Sequence, residues 1–210
     1  GFIMALVKLN NRGVRSATAF GSITGLGSMV FIKKLTASSS ATVDFVNGSS
    51  DVVLDNTYKE YLFTWNNIHP SSQGDIFKVN FSDDTSSHSY DLTKTTTFFM
   101  ARLDEDDSDA KIQYQTGSDI AQGTGDQELV VNINANNDSC CAGYLHLFNP
   151  SSTTFVKHFI ARGNSDGESD RCFSSYVAGY INTTAAVTAV RFTFGGSNID
   201  AGDICLYGIA

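Results

Sequence analysis

The chain has 210 residues, 41% hydrophobic and 11% aromatic, with 14 lysines and arginines against 22 aspartates and glutamates. That is enough apolar material for one sizeable core and too much for a disordered chain. A net charge of −8 without a basic stripe argues against a phosphate-backbone partner, so no nucleic acid is expected.

The N-terminal stretch GFIMALVKLNNRG lacks the basic start and small-residue cleavage site of a signal peptide. No apolar run approaches the ~18 residues of a membrane span, so no membrane insertion is expected. Met4 reads as a natural start and Gly1–Ile3 as a leader or tag. Residues 1–27 read as an extended arm, with Leu6, Lys8, Leu9, Arg12 and Arg15 as its partner-docking residues. Gly21, Gly25 and Gly27 make it a connector; neither G-x-x-x-x-G-K-[ST] nor G-x-G-x-x-G is present.

From residue 28 onward, short β-type runs alternate with turn clusters. They fall at 29–35, 41–46, 58–68, 75–81, 95–102, 111–115, 128–133, 142–149, 154–161, 173–182, 187–194 and 203–209. Phe77, Val79 and Phe81 share one face, as do Val190, Phe192 and Phe194. No helical period of 3.6 is sustained. The prediction is an all-β domain over 28–210, an antiparallel two-sheet sandwich, jelly-roll-like, with the N-terminal arm outside it. Pro70 and Pro150 each follow an aromatic strand and precede Ser-Ser, so both are predicted in hairpin connections.

Catalytic templates are missing: there is no H-E-x-x-H, no G-x-S-x-G and no Cys/His zinc spacing. Asp44 reads as a solvent-facing strand residue, and His69 and His88 as loop residues. His146 and His158 flank the turn at 150–153. They face each other only if Phe148 pairs with Val156; if Asn149 pairs with Thr154, His146 faces Lys157 instead. Trp65, Tyr61, Tyr144, Tyr176 and Tyr180 are the candidate sugar-stacking rings. About four of the five are expected as packing residues, Trp65 deepest. Cys140, Cys141, Cys172 and Cys205 are expected as reduced thiols.

The run RLDEDDSDAK at 102–111 concentrates the acidity. Asp104, Asp106, Asp107 and Asp109 form a candidate metal site, calcium being the ion that several carboxylates and carbonyls suit. An EF-hand register fails, because its glycine position holds Asp109 and its glutamate position Gln115. Two other readings stand beside it: a solvated hairpin tip, and a docking surface for a basic partner. No other cofactor is expected.

Four stretches carry a resemblance: ALVKLNNRGVRSATAFGSITGLGSM (5–29), DNTYKEYLFTWNNIHP (55–70), LHLFNPSSTTFVKHFIAR (145–162), and GYINTTAAVTAVRF with NIDAGDICLYGI (179–192, 198–209). In these the chain resembles small β-rich virion-associated proteins of marine tailed bacteriophages, described as tail-fibre-like or structural. The resemblance covers most of the chain and brings no catalytic motif. It implies a non-enzymatic virion component, a tail-fibre or adhesin subunit, with a capsid decoration protein and a lectin-like carbohydrate-binding module as alternatives. It further implies assembly in the host cytoplasm with other virion proteins as partners. A host-surface glycan or protein is the expected receptor, and a homo-oligomer, a trimer first, the expected assembly. The vicinal cysteines and the acidic run depart from that pattern and are not read as family sites.

Overall fold

A computed structural model describes residues 29–210, and the predicted docking residues Leu6, Lys8, Leu9, Arg12 and Arg15 lie outside the described residues. The alternating runs become twelve strands: β1 (Met29–Ser40), β2 (Thr42–Val46), β3 (Glu60–Pro70), β4 (Asp75–Ser82), β5 (Lys94–Asp104), β6 (Ala110–Tyr114), β7 (Gln127–Ile133), β8 (Cys141–Phe148), β9 (Lys157–Gly167), β10 (Arg171–Ile181), β11 (Ala189–Thr193) and β12 (Ile199–Ile209). No helix occurs among the described residues. Each predicted run meets one strand, but two strands are longer than composition suggests. Ser38 and Ser40, predicted as a turn, continue β1 opposite Ala201 and Ile199. Polar Arg162 to Gly167 continue β9, because β8 and β10 pair with it on both sides and tertiary pairing overrides weak propensity.

The strands pair antiparallel throughout, in the order β1-β12-β3-β8-β9-β7-β4-β11-β2, a nearly closed, barrel-like sheet. At β9 the sheet forks. β10 pairs along the whole of β9, then β5 pairs with β10 and β6 with β5. By contrast, β7 meets β9 only where Ile133 pairs with Gly167.

Pro70 corrects one expectation. It ends β3 opposite Ile199, and the chain then crosses to β4, whose partners are β7 and β11. Only Pro150 lies in a hairpin connection, between the paired strands β8 and β9. The shared aromatic-Asn-Pro-Ser-Ser wording therefore reflects turn chemistry common to two different connections.

Alternation sends Tyr61, Phe63 and Trp65 of β3 inward, all fully buried. They meet the inward residues of β2, β4 and β11. Trp65 lies 5.5 Å from Phe77, Phe77 stacks on Phe192, and Phe63 meets Phe45 edge-on at 5.3 Å. The predicted faces hold: Phe77, Val79 and Phe81, and likewise Val190, Phe192 and Phe194, point into this core. Each such ring contributes roughly 1.5–3 kcal/mol by leaving water. The register slips between Trp65 and Ile68, where Asn67 takes a left-handed φ of 53°. Gly202 of β12, at φ 123°, lies against this irregularity, where a Cβ would sit 2.6 Å from the Asn67 carbonyl. The slip restores Ile68 to the core.

Two lysines are fully buried, and both pair with Ile181: Lys94 from β5 and Lys157 from β9. Neither ammonium meets a carboxylate. Lys94 Nζ donates to the carbonyls of Leu92 and Gly125 at 2.8 Å and of Thr124 at 3.3 Å; Lys157 Nζ donates to those of Thr183 and Ala185. Burial pushes Lys94 down to about 8, against the opposing pull of Asp126 and Asp91, and lowers Lys157 in the same sense. Carbonyl cradles satisfy the donors and fasten two loop segments to the sheet.

Candidate binding face

The two outward surfaces of the body differ. Over β4 and β11, loop residues cover the sheet. Asn80 is buried beneath Thr124 and Asp126, to which its amide donates. Arg191 makes two hydrogen bonds to Asp44, at 2.9 and 2.7 Å, while Tyr90 lies 3.8 Å from its guanidinium. Asp44 is thus a strand carboxylate with a fixed partner, which holds the arginine's proton more firmly than usual. Beside them lies a polar cavity of about 380 Å³ lined by Ser89, Asp126, Gly195 and Asn198 among others.

Among the described residues, the outward surface of β1, β12, β3, β8, β9, β10, β5 and β6 is open except at one end, where loop residue Gln122 donates to Thr95 Oγ1 at 2.6 Å and to the Tyr180 hydroxyl at 3.3 Å. Strict alternation along β9 places His158, Ile160, Arg162 and Asn164 outward, between buried Lys157, Phe159 and Ala161. The pairing then lays transverse rows across the strands. One row runs Thr64, Tyr144, Arg162, Tyr176, Phe99, Tyr114. The next runs Phe31, Tyr207, Leu62, His146, Ile160, Ala178, Thr97. Of the exposed large apolar side chains among the described residues, only Phe155 lies off these strands. Ile112, 79% exposed, is the most open of them. A groove of about 490 Å³ runs between Thr97, Phe148, His158, Ile160 and Tyr180.

Within the first row the rings turn on one another. Tyr176 and Phe99 stack with centroids 4.8 Å apart and planes 2° from parallel, and the guanidinium of Arg162 lies 4.8 Å from the Tyr176 ring. Arg162 comes from the strand on one side of β10 and Phe99 from the strand on the other. Both faces of Tyr176 are therefore occupied, leaving its edge to solvent.

Of the five candidate rings, Trp65 and Tyr61 are core residues, whereas Tyr144, Tyr176 and Tyr180 stand on the outward face. More of the five face outward than expected. Phe99, Arg162 and Tyr114 were not anticipated from the sequence; alternation in TTTFFMAR, with Phe98 inward, is the signal that points Phe99 outward.

The histidine pairing fails in both registers considered. His146 lies opposite Ile160, so His158 is its diagonal neighbour on the same face. His146 Nε2 lies 3.6 Å from Glu60, and His158 packs beside Tyr180. His69 belongs to β3 and meets the Ser139 carbonyl at 2.7 Å, correcting its reading as a loop residue. His88 Nδ1 is 3.4 Å from Ser82 Oγ, but that hydroxyl is fully buried and donates to Asp84 at 3.0 Å.

Residues 105–109 form the tip of the β5–β6 hairpin. The four candidate calcium ligands do not converge there. Asp104 accepts from Arg171 at 3.0 Å and lies 3.5 Å from Arg102, while Asp109 pairs with Arg102 and Lys111. Asp106 caps its own turn, accepting from the Ser108 amide at 3.0 Å; Ser108 holds its carboxyl below the usual range. The Asp107 amide donates back to the Asp104 carbonyl. Among the described residues no three acidic, histidine or cysteine side chains are arranged to hold a metal ion. The sulfurs of Cys140, Cys141, Cys172 and Cys205 are unpaired, Cys141 buried and Cys172 exposed.

Comparison with family models, curated proteins and solved structures gives no match. The open face and its rows of side chains are therefore the basis for a functional reading.

Proposed function

We propose that the protein is a non-enzymatic structural subunit of a tailed-bacteriophage virion, tail-fibre-like or adhesin in role. In this reading residues 1–27 dock the subunit and residues 28–210 form a two-layer, jelly-roll-like sandwich, its layers joined where Ile133 meets Gly167. The observation that carries the proposal is the concentration of exposed apolar side chains on one largely open sheet face, while the opposite face is covered by loops. A contiguous apolar surface of this kind marks a place where another molecule sits. Three of the stretches that carry the phage resemblance, 55–70, 145–162 and 198–209, supply the adjoining strands β3, β8, β9 and β12 of that face. The occupied faces of Tyr176 favour protein contact over stacking of a sugar ring at that point.

Cryo-electron microscopy of intact particles tests the reading. Density for the subunit on the tail is expected. Density at capsid lattice points replaces it with the decoration-protein reading, and absence from purified particles overturns the virion role.

A further inference from the structure

Among the described residues, β6 is the one strand at the end of a ladder that is left unguarded. An open edge presents unpaired N–H and C=O groups, and proteins blunt such edges with charge, bulges or covering chain. β1 carries Lys33 and Lys34 beside a register shift between Phe31 and Lys33. β2 follows β1 directly through Ala41 and carries Asp44, which is paired with Arg191. β6 has no proline and no bulge: Ala110 to Tyr114 pair with Leu103 to Phe99 in unbroken register. Its one charged side chain, Lys111, alternates to the opposite surface from Ile112 and lies 3.6 Å from Asp109.

The hydrogen-bond phase of this edge is fixed. The Gln115 amide donates to the Phe98 carbonyl, and the Asp104 amide to the Asp109 carbonyl. Residues 109, 111, 113 and 115 therefore turn their backbone groups towards β5. Ala110, Ile112 and Tyr114 turn theirs to the open side.

We infer that β6 pairs with β6 of a second copy of this chain, antiparallel, across a two-fold axis at Ile112. Ile112 then faces its own counterpart, Ala110 faces Tyr114, and Lys111 faces Gln113. Every outward backbone group of β6 meets an outward group of the partner strand. No like charges stand directly opposed, and small Ala110 makes room beside Tyr114. Shifting the register so that Ala110 meets Ile112 brings Lys111 against Lys111, which is destabilising. Shifting it so that Ile112 meets Tyr114 leaves Ala110 unpaired. The self-complementary register is thus set by the sequence of five residues. It extends the open face from one copy into the next, with Phe99, Leu103, Ile112 and Tyr114 of both copies around the axis.

This contact deepens the reading of the protein as an assembling subunit, and its two-fold symmetry departs from the trimer that the phage resemblance implies. Light scattering of the full chain across a concentration series is expected to give twice the chain mass. Ile112→Lys, at an exposed position, is expected to give a folded monomer with unchanged circular dichroism. Ile112→Cys in a Cys172→Ser background is expected to form a covalent dimer on oxidation. Facing residues of a hydrogen-bonded pair lie about 5.5 Å apart, within disulfide range. A monomeric wild type, an oligomer that survives Ile112→Lys, or a failure of the Ile112→Cys variant to cross-link overturns the inference. A trimer unaffected by Ile112→Lys removes this contact and leaves the virion reading standing; a β6 dimer absent from particles does the reverse.

Discussion

Gly143 on β8 and Gly163 on β9 lie directly opposite each other, and the indole of Trp65 fills the space that their missing side chains leave. A Cβ on Gly143 would stand 2.6 Å from Trp65 Cζ2, and one on Gly163 would press on Val130 and sit 3.4 Å from the same indole atom. The pair of glycines is the complement of the largest core side chain.

Gly163→Ala should therefore destabilise the fold by about 1–3 kcal/mol, the usual cost of overpacking a filled core. Urea denaturation measures this. Gly117→Ala, where a Cβ meets nothing within 4 Å, is the control and should change little. Equal stabilities for the two variants would show that Trp65 yields without strain.

The stack of Tyr176 on Phe99 should carry its own energy. Phe99→Ala, Tyr176→Ala and the double variant form a cycle, and the coupling is expected at about 0.5–1.5 kcal/mol in favour of the pair. Strictly additive losses would mean that the rings share a face without interacting.

Lys94 should make stability depend on alkaline pH. Its ammonium releases its proton at about 8 in the folded chain, against 10.5 for an unperturbed lysine. Between those values the unfolded chain binds more protons, so stability rises with pH. Below about 8 both states are charged, and the folded one bears the cost of a buried ammonium. Above 10.0 the effect reverses, because burial pushes Tyr61 and Tyr90 up to about 12 and the folded chain keeps protons that the unfolded chain has lost. Melting temperature should climb between about pH 8 and 10, by the equivalent of about 1–2 kcal/mol. Lys94→Met should flatten that climb even if it lowers the whole curve.

The acidic hairpin tip should respond to charge removal at its base and not at its apex. Asp104→Ala removes the carboxylate that Arg171 donates to and that lies beside Arg102, which keeps Asp109, and should cost about 1–2 kcal/mol. Asp106→Asn should be close to silent, and added chelator should leave the melting temperature where it was. A fall in melting temperature on chelation would instead support a calcium site at the tip.

The strands were readable because alternation is a local signal. Phe77, Val79 and Phe81 reveal their common face without knowledge of any neighbour. Partner strands are not local. His146 meets Ile160 because of a hairpin register that several turn geometries could have set, and Pro70 opens a crossover because β4 finds β11 and β7 far along the chain. Tyr176 belongs to the candidate face for the same reason. Its sequence says only that it alternates with Val177, while the stack requires Phe99 and Arg162 from two other strands. The acid run was legible only as composition: it gave carboxylates, but Arg102 and Arg171 decide where two of them point.

The place of β12 has a kinetic consequence. Residues 199–209 lie between β1 and β3, two strands made much earlier in synthesis. Until that segment emerges from the ribosome, β1 lacks its one partner among the described residues and β3 lacks one of its two neighbours. Closure of this side of the sheet therefore waits for residues made long after β1 and β3, joined to them by contacts of very high sequence separation. Such a topology folds slowly and exposes open strands while it waits, so newly made chains should depend on chaperones more than their final stability would suggest.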